Sequence, residues 1–150
     1  MMAGRAGRSD EIEVIVEAPV FPTEDPEKVR RAVENVLFGG EFELRPAPSG
    51  LGHVLVARAY GRDALSKLRA LIRIERISDA ARSVLLSGIE GDRLVFYLNK
   101  QAAYVRHISF SEPSGESPLG PIRFEVRCSD PRELVDWLAP SSMGPPLYRL

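Results

Sequence analysis

The segment from Ile122 to Cys128 constrains this chain more than any other. Ile122, Phe124, Val126 and Cys128 alternate with Arg123, Glu125 and Arg127. Successive side chains of a strand point to opposite faces. The segment therefore needs a sheet with one apolar, covered face and one face turned to water. Ile12, Val14 and Val16 repeat the pattern around Glu13 and Glu17, with Pro19 and Pro22 expected to close that strand. Glu41 to Arg45, His53 to Ala59, Arg93 to Leu98 and Arg106 to Ser111 read as further short strands, the last with Ile108 and Phe110 facing in.

The cover for that sheet comes from segments of helical period. Val29, Ala32, Val33, Val36 and Leu37 form one stripe behind a Thr23 or Asp25 cap and Pro26, and Gly39-Gly40 ends it. A second helix is expected over Gly61 to Glu75, with Leu65, Leu68 and Ile72 inward. A third should start at a Ser78-Asp79 cap and run through Ala81, Val84 and Leu85 to Gly88. A last one should follow the Asp130 cap, burying Leu134, Val135 and Leu138 with Trp137 beside them and stopping at Pro140. Asn99 to Tyr104 is a loop or a short helical turn. The fold class is α+β: a two-layer sandwich, one mostly antiparallel sheet with helices packed on one face. Residues 1–10 read as a disordered basic leader, 11–138 as a single domain, with a turn-rich loop from Glu112 to Leu119, and 139–150 as a C-terminal tail.

Composition narrows the function classes. At 150 residues the chain can bury about 70% of its unfolded surface without staples. The single Cys128 excludes an intrachain disulfide and a cysteine metal cluster, and His53 and His107 are too few for a histidine site. No apolar run approaches the ~20 residues that span a bilayer, and Met1 to Arg8 lack the apolar core of a secretion signal. A cytoplasmic protein without metal or cofactor is expected. With 17 Arg, three Lys and one Gln, the composition fits a heat-adapted source or a GC-rich genome equally. The net charge of −1 hides a dipolar chain: residues 10–45 carry ten acids and four bases, residues 61–87 six bases and three acids.

Enzyme signatures are weak. Cys128 sits on an apolar strand face, where the burial trend favours an inert small hydrophobe over a nucleophile. His107, expected on the polar face of its strand, could serve as a general base or stack on a nucleotide, but a plain surface histidine is the simpler account. Gly88-Ile89-Glu90-Gly91 has the GxxG spacing of a phosphate clamp, yet Glu90 and Asp92 would repel phosphate. No carboxylate pair stands in apolar surroundings, and no catalytic residue is assigned.

Two features stand out instead. Arg62, Arg69, Arg73 and Arg76, with Ser66, recur at spacings of four and three on the second helix. Such a row could track phosphates bidentately; the plain alternative is a solvated helix face. Asn99-Lys100-Gln101-Ala102-Ala103-Tyr104 gathers the only Gln with scarce Asn and Lys. Amides and a lysine suit bases or phosphate, and the two alanines allow close approach. Alternatively, Asn99 bonds the local backbone in an ordered connection.

Pro22-Thr23-Glu24-Asp25-Pro26, Ala80-Ala81-Arg82, Asn99-Lys100-Gln101-Ala102-Ala103, Ser109-Phe110 and Pro118-Leu119-Gly120-Pro121-Ile122 together resemble a mainly archaeal group, the uncharacterised protein family zero-two-zero-one. The resemblance covers roughly Glu11 to Leu138 and implies a fold like that of the ribosomal L-five protein, a homodimer and an RNA-binding role. Arg82, Asn99, Lys100 and Gln101 fall within its motifs; Arg62, Arg69, Arg73 and Arg76 rest on spacing alone. The function expected is a non-catalytic RNA-binding domain. The alternative is a homodimeric assembly module whose arginine face meets the acidic stretch of a second copy.

Overall fold

The computed structural model describes residues 11–112 and 120–142. The leader, most of the Glu112–Leu119 loop and most of the tail lie outside them. The order is β1 (Glu13–Val20), α1 (Pro26–Val36), β2 (Glu41–Pro46), β3 (His53–Tyr60), a 3-10 turn (Arg62–Leu65), α2 (Ser66–Ile74), α3 (Ser78–Ser87), β4 (Ile89–Glu90), β5 (Arg93–Asn99), α4 (Lys100–Tyr104), β6 (Pro121–Arg127) and α5 (Pro131–Leu138). The strands form one sheet in the order β2-β3-β1-β6-β5-β4, and every pairing is antiparallel.

Strand alternation and helix stripes meet in one core. Val14, Val16, Phe124, Val126, Leu94 and Leu98 from the sheet are fully buried, as are Val36, Leu68, Ile72, Leu85, Leu134 and Leu138 from the helices. Phe96 stacks on Phe124 with centroids 4.8 Å apart, and Phe110 meets Phe96 edge-on at 6.1 Å. Asp25 accepts from the Glu27 amide and Asp130 from the Glu133 amide, so the caps of α1 and α5 stand where the sequence put them. Pro follows each cap at a position whose N–H would have no helical partner.

Five details differ from the sequence expectations. Pro19 does not end β1. Beyond Glu17 the pairing with β6 stops, while β3 continues alongside to Val20. The Pro19 carbonyl faces the vacated side, where Lys100 donates to it. A strand residue points its N and O the same way, so the missing N–H breaks no bond to β3. The helix expected over Gly61 to Glu75 is a 3-10 turn followed by α2, and Arg76 lies past its end with φ 58°. Ser78 and Asp79 sit inside α3 rather than capping it. The Ser78 hydroxyl donates to the Pro140 carbonyl, Asp79 accepts from Ser142, and Val84 points outward. Those contacts and the buried Ala139 carry packing past Leu138. The strand expected at Arg106 to Ser111 is reduced to one bridge, Leu98 to Phe110. Arg106 takes φ 64°, and Glu75 accepts the Ile108 amide that a ladder would have used.

The open face of the sheet is electrically self-contained. Arg58 pairs with Glu13 at 3.2 Å and Arg45 with Glu43 at 2.9 Å. Glu125 lies in mid-sheet between Ile15 and Val95. It is only 6% exposed and accepts from Arg123 at 3.0 Å, Arg127 at 2.9 Å and Arg93 at 3.5 Å. Burial alone would raise its pKa. The bonds and charges of Arg123 and Arg127 outweigh that and hold the carboxyl below its ordinary 4.5. A carboxyl lowered in the folded state adds stability above its unfolded pKa and loses it as pH falls through the folded value. Denaturation followed from about pH 7 to pH 3 should therefore show Glu125→Gln less stable at neutrality, with the gap closing in acid. A gap that is constant with pH would remove this role from Glu125.

Candidate nucleic-acid interface

The arginines expected in one row have different environments. Arg62 leans on α5, 3.4 Å from Glu133 and 5.1 Å over the Trp137 ring. Arg69 donates to the Trp137 carbonyl at 2.8 Å and stacks on the same ring at 4.8 Å. Arg82 holds Asp136 at 2.7 Å and donates to the Ala139 carbonyl. These three guanidiniums fasten α5 to the 3-10 turn, α2 and α3, so neither a phosphate nor a second copy's acidic stretch is needed to explain them. The 3-10 turn takes Arg62 off the α-helix and the left-handed Arg76 stands past its end, so the row is broken at both ends. Arg73 is exposed beside Arg69, along a hollow shared with Ser78, Leu138 and Pro140. Arg76 is exposed too. Among the described residues no carboxylate stands within 4 Å of Arg73 or Arg76 in an ion pair.

The Asn99–Tyr104 segment divides as well. Asn99 caps α4, accepting from the Ala102 amide at 2.8 Å. Lys100 is buried at 3% exposure. Its ammonium meets Glu24 at 2.9 and 3.1 Å and lies 5.6 Å from the centroid of the Phe21 ring. Burial pushes its pKa down, and the bonds to Glu24 oppose that shift. Glu24 also accepts the Phe21 amide. The lysine therefore ties the end of β1, the loop before α1 and α4 into one unit, which removes it from the surface it was expected to serve. Gln101 alone of the three polar residues is exposed.

What assembles at that edge is a different set. A groove of about 510 Å³ runs between α1 and α4, lined by Lys28, Val29, Ala32, Gln101, Tyr104 and Val105 among others. A second hollow of about 260 Å³ holds Arg31, Asn35 and Arg106, and Tyr104 and Val105 line it also. Asn35 donates to the Ala103 and Tyr104 carbonyls at 2.9 and 3.0 Å, so the ridge between the hollows is pinned to α1. Glu75 meets His107 at 3.1 Å, so the turn after α2 that carries Arg76 lies against the segment after α4 that carries Arg106. Lys28, Arg31, Arg76 and Arg106 are exposed. None of them has an ion-pair partner among the described residues.

Sequence reading missed Lys28, Arg31 and Arg106. The first two share a helix face at i, i+3, but they sit in the acid-rich stretch 10–45. The fold disperses most of those acids: Glu13, Glu17, Glu41 and Glu43 belong to the open sheet face, Glu24 to Lys100 and Glu34 to Arg30, while Asp25 and Glu27 stay at the start of α1 beside Lys28. The groups weighed for catalysis are far less suited. His107 is exposed against Glu75, and burial pushes the Cys128 thiol up, away from the thiolate a nucleophile needs.

Comparison with known proteins agrees with the motifs. A family model described as RNA binding matches residues 13–128. A UPF0201 protein of Pyrobaculum aerophilum is 49% identical over 138 residues, 91% of this chain and 94% of the relative. The chain belongs to the archaeal UPF0201 family. A UPF0201 protein of Thermococcus kodakarensis is 45% identical over 85% of this chain and 89% of its own length. The solved UPF0201 structure from Methanococcus jannaschii superposes with a TM-score of 0.75 at 30% identity, over 87% of this chain and 94% of that one.

The buried pair makes its own prediction. Lys100→Ala leaves the Glu24 carboxylate without its cation, and should cost about 3–5 kcal/mol in chemical denaturation. Lys100→Met combined with Glu24→Gln should recover part of that loss. A single-variant cost under about 1 kcal/mol, the value of an exposed pair, would contradict the role given to Lys100.

Proposed function

We propose that this protein is a non-catalytic RNA-binding domain whose contact surface is the α1–α4 edge. Lys28, Arg31, Arg76 and Arg106 contact phosphates there, and Gln101 and Tyr104 stand at the centre. The observation that carries this reading is the contrast between two surfaces of a nearly neutral molecule. On the open sheet face each of five arginines has a carboxylate within 3.5 Å. At the α1–α4 edge the cations have none among the described residues. Unpaired guanidiniums are the groups that gain most from a polyanion, because they give up no existing ion pair. The family model's description points the same way.

Arg73 belongs to the proposal as an outlying contact. Arg62, Arg69, Arg82, Asn99 and Lys100 serve the fold and are left out of it. Binding to total cellular RNA should weaken with salt at a slope of roughly −0.7 to −0.9 per phosphate contacted. Arg31→Glu and Arg106→Glu should each lower affinity and reduce that slope by about one. Arg45→Glu, on the sheet face, should change neither. Equal losses from all three variants, or no binding at low salt, would refute the assignment.

A further inference from the structure

Resting on the RNA-binding reading, we propose that the groove between α1 and α4 receives an unpaired nucleobase, whose phosphate lies in the adjoining hollow between Arg31 and Arg106. The recognised RNA is then single-stranded at this point. Three observations lead there. The 510 Å³ groove falls within the roughly 300–1,000 Å³ usual for small-ligand sites. Its floor is the buried Val29 and Ala32 and its open apolar wall is the exposed Val105, which suits a flat, weakly polar ring more than a phosphate. The basic hollow is its neighbour, and the two share the Tyr104–Val105 ridge. A nucleotide is a ligand of that shape, a planar apolar body joined by a sugar to an anion.

The surroundings add polarity in suitable places. Gln101 is exposed at the groove and carries both a donor and an acceptor, which suits a base edge. Tyr104 offers an aromatic group on which a base can stack, the usual device of single-strand binding. Asn35 holds the Tyr104 carbonyl, so the ridge is in place before any ligand arrives. A duplex keeps its bases stacked and paired and cannot place one in such a groove. Lys100 and Glu24 also line the groove, already satisfied by each other, so they build its wall.

The experiment compares fluorescence anisotropy of one labelled single-stranded oligoribonucleotide with its abasic counterpart and with the matching duplex, at one salt concentration. The natural strand should bind about tenfold or more tightly than the abasic one, the effect of losing one stacked base. Gln101→Ala and Tyr104→Leu should each bring the affinity of the natural strand toward that of the abasic one. Gln101 is exposed, so that variant carries no folding question, and the denaturation midpoint of Tyr104→Leu checks the other. Equal affinity for natural and abasic strands would overturn the nucleobase site while leaving the phosphate contacts standing. Tighter binding to the duplex would do the same. Failure of every RNA to bind would overturn the RNA-binding reading itself.

Discussion

An ammonium taken out of water must find full compensation, and in this protein that demand falls on Lys100. Several kcal/mol of lost hydration have to be offset by close oxygens. Glu24 supplies two of them and the Pro19 carbonyl a third. Meeting the demand holds the one-sided end of β1, the loop ahead of α1 and the start of α4 together. Asn35 then secures the other end of α4 to α1. The groove and the ridge beside it are the spaces these two attachments leave between α1 and α4. A shift of either would change an edge of the molecule where several cations stand without ion pairs among the described residues.

The distribution of charge follows from the two-layer architecture. A sheet with one open face places residues from six strands side by side. Opposite charges there become cross-strand and same-strand neighbours, and they neutralise one another at short range. Glu125 is the extreme case, a carboxylate covered by the stems and heads of three arginines. The helical layer has no such lattice. Its arginines pair within their own helix, as Arg30 does with Glu34, reach an adjoining helix, as Arg62, Arg69 and Arg82 reach α5, or extend into water. A near-zero net charge is thus compatible with one neutral face and one cationic edge.

The alternating segments and the helix stripes could be read in advance because both depend on short-range periodicity. Ile122 to Cys128, Val29 to Leu37 and the Asp25 and Asp130 caps all appear where their spacing puts them. The errors share a different cause. Pro19 stayed in a strand because β6 had already turned away, and Arg106 to Ser111 failed as a strand because Glu75, 33 residues earlier, took the Ile108 amide. Ser78 and Asp79 were drawn to Pro140 and Ser142. In each case a partner distant in sequence outcompeted the local preference.

The chain's own order of residues was enough to determine a covered sheet, its helices, their caps and the family motifs, because those depend on patterns that repeat within a few residues. It also singled out the Asn99–Tyr104 segment, through the rarity of its residue types. Only the tertiary structure decided that Lys100 is a buried strut, that three of the helix arginines belong to α5, and that Lys28, Arg31 and Arg106 share an edge. The physical reason is that a charged side chain's role depends on which opposite charge or dipole lies within about 4 Å of it. That distance is set by packing between segments far apart in the chain.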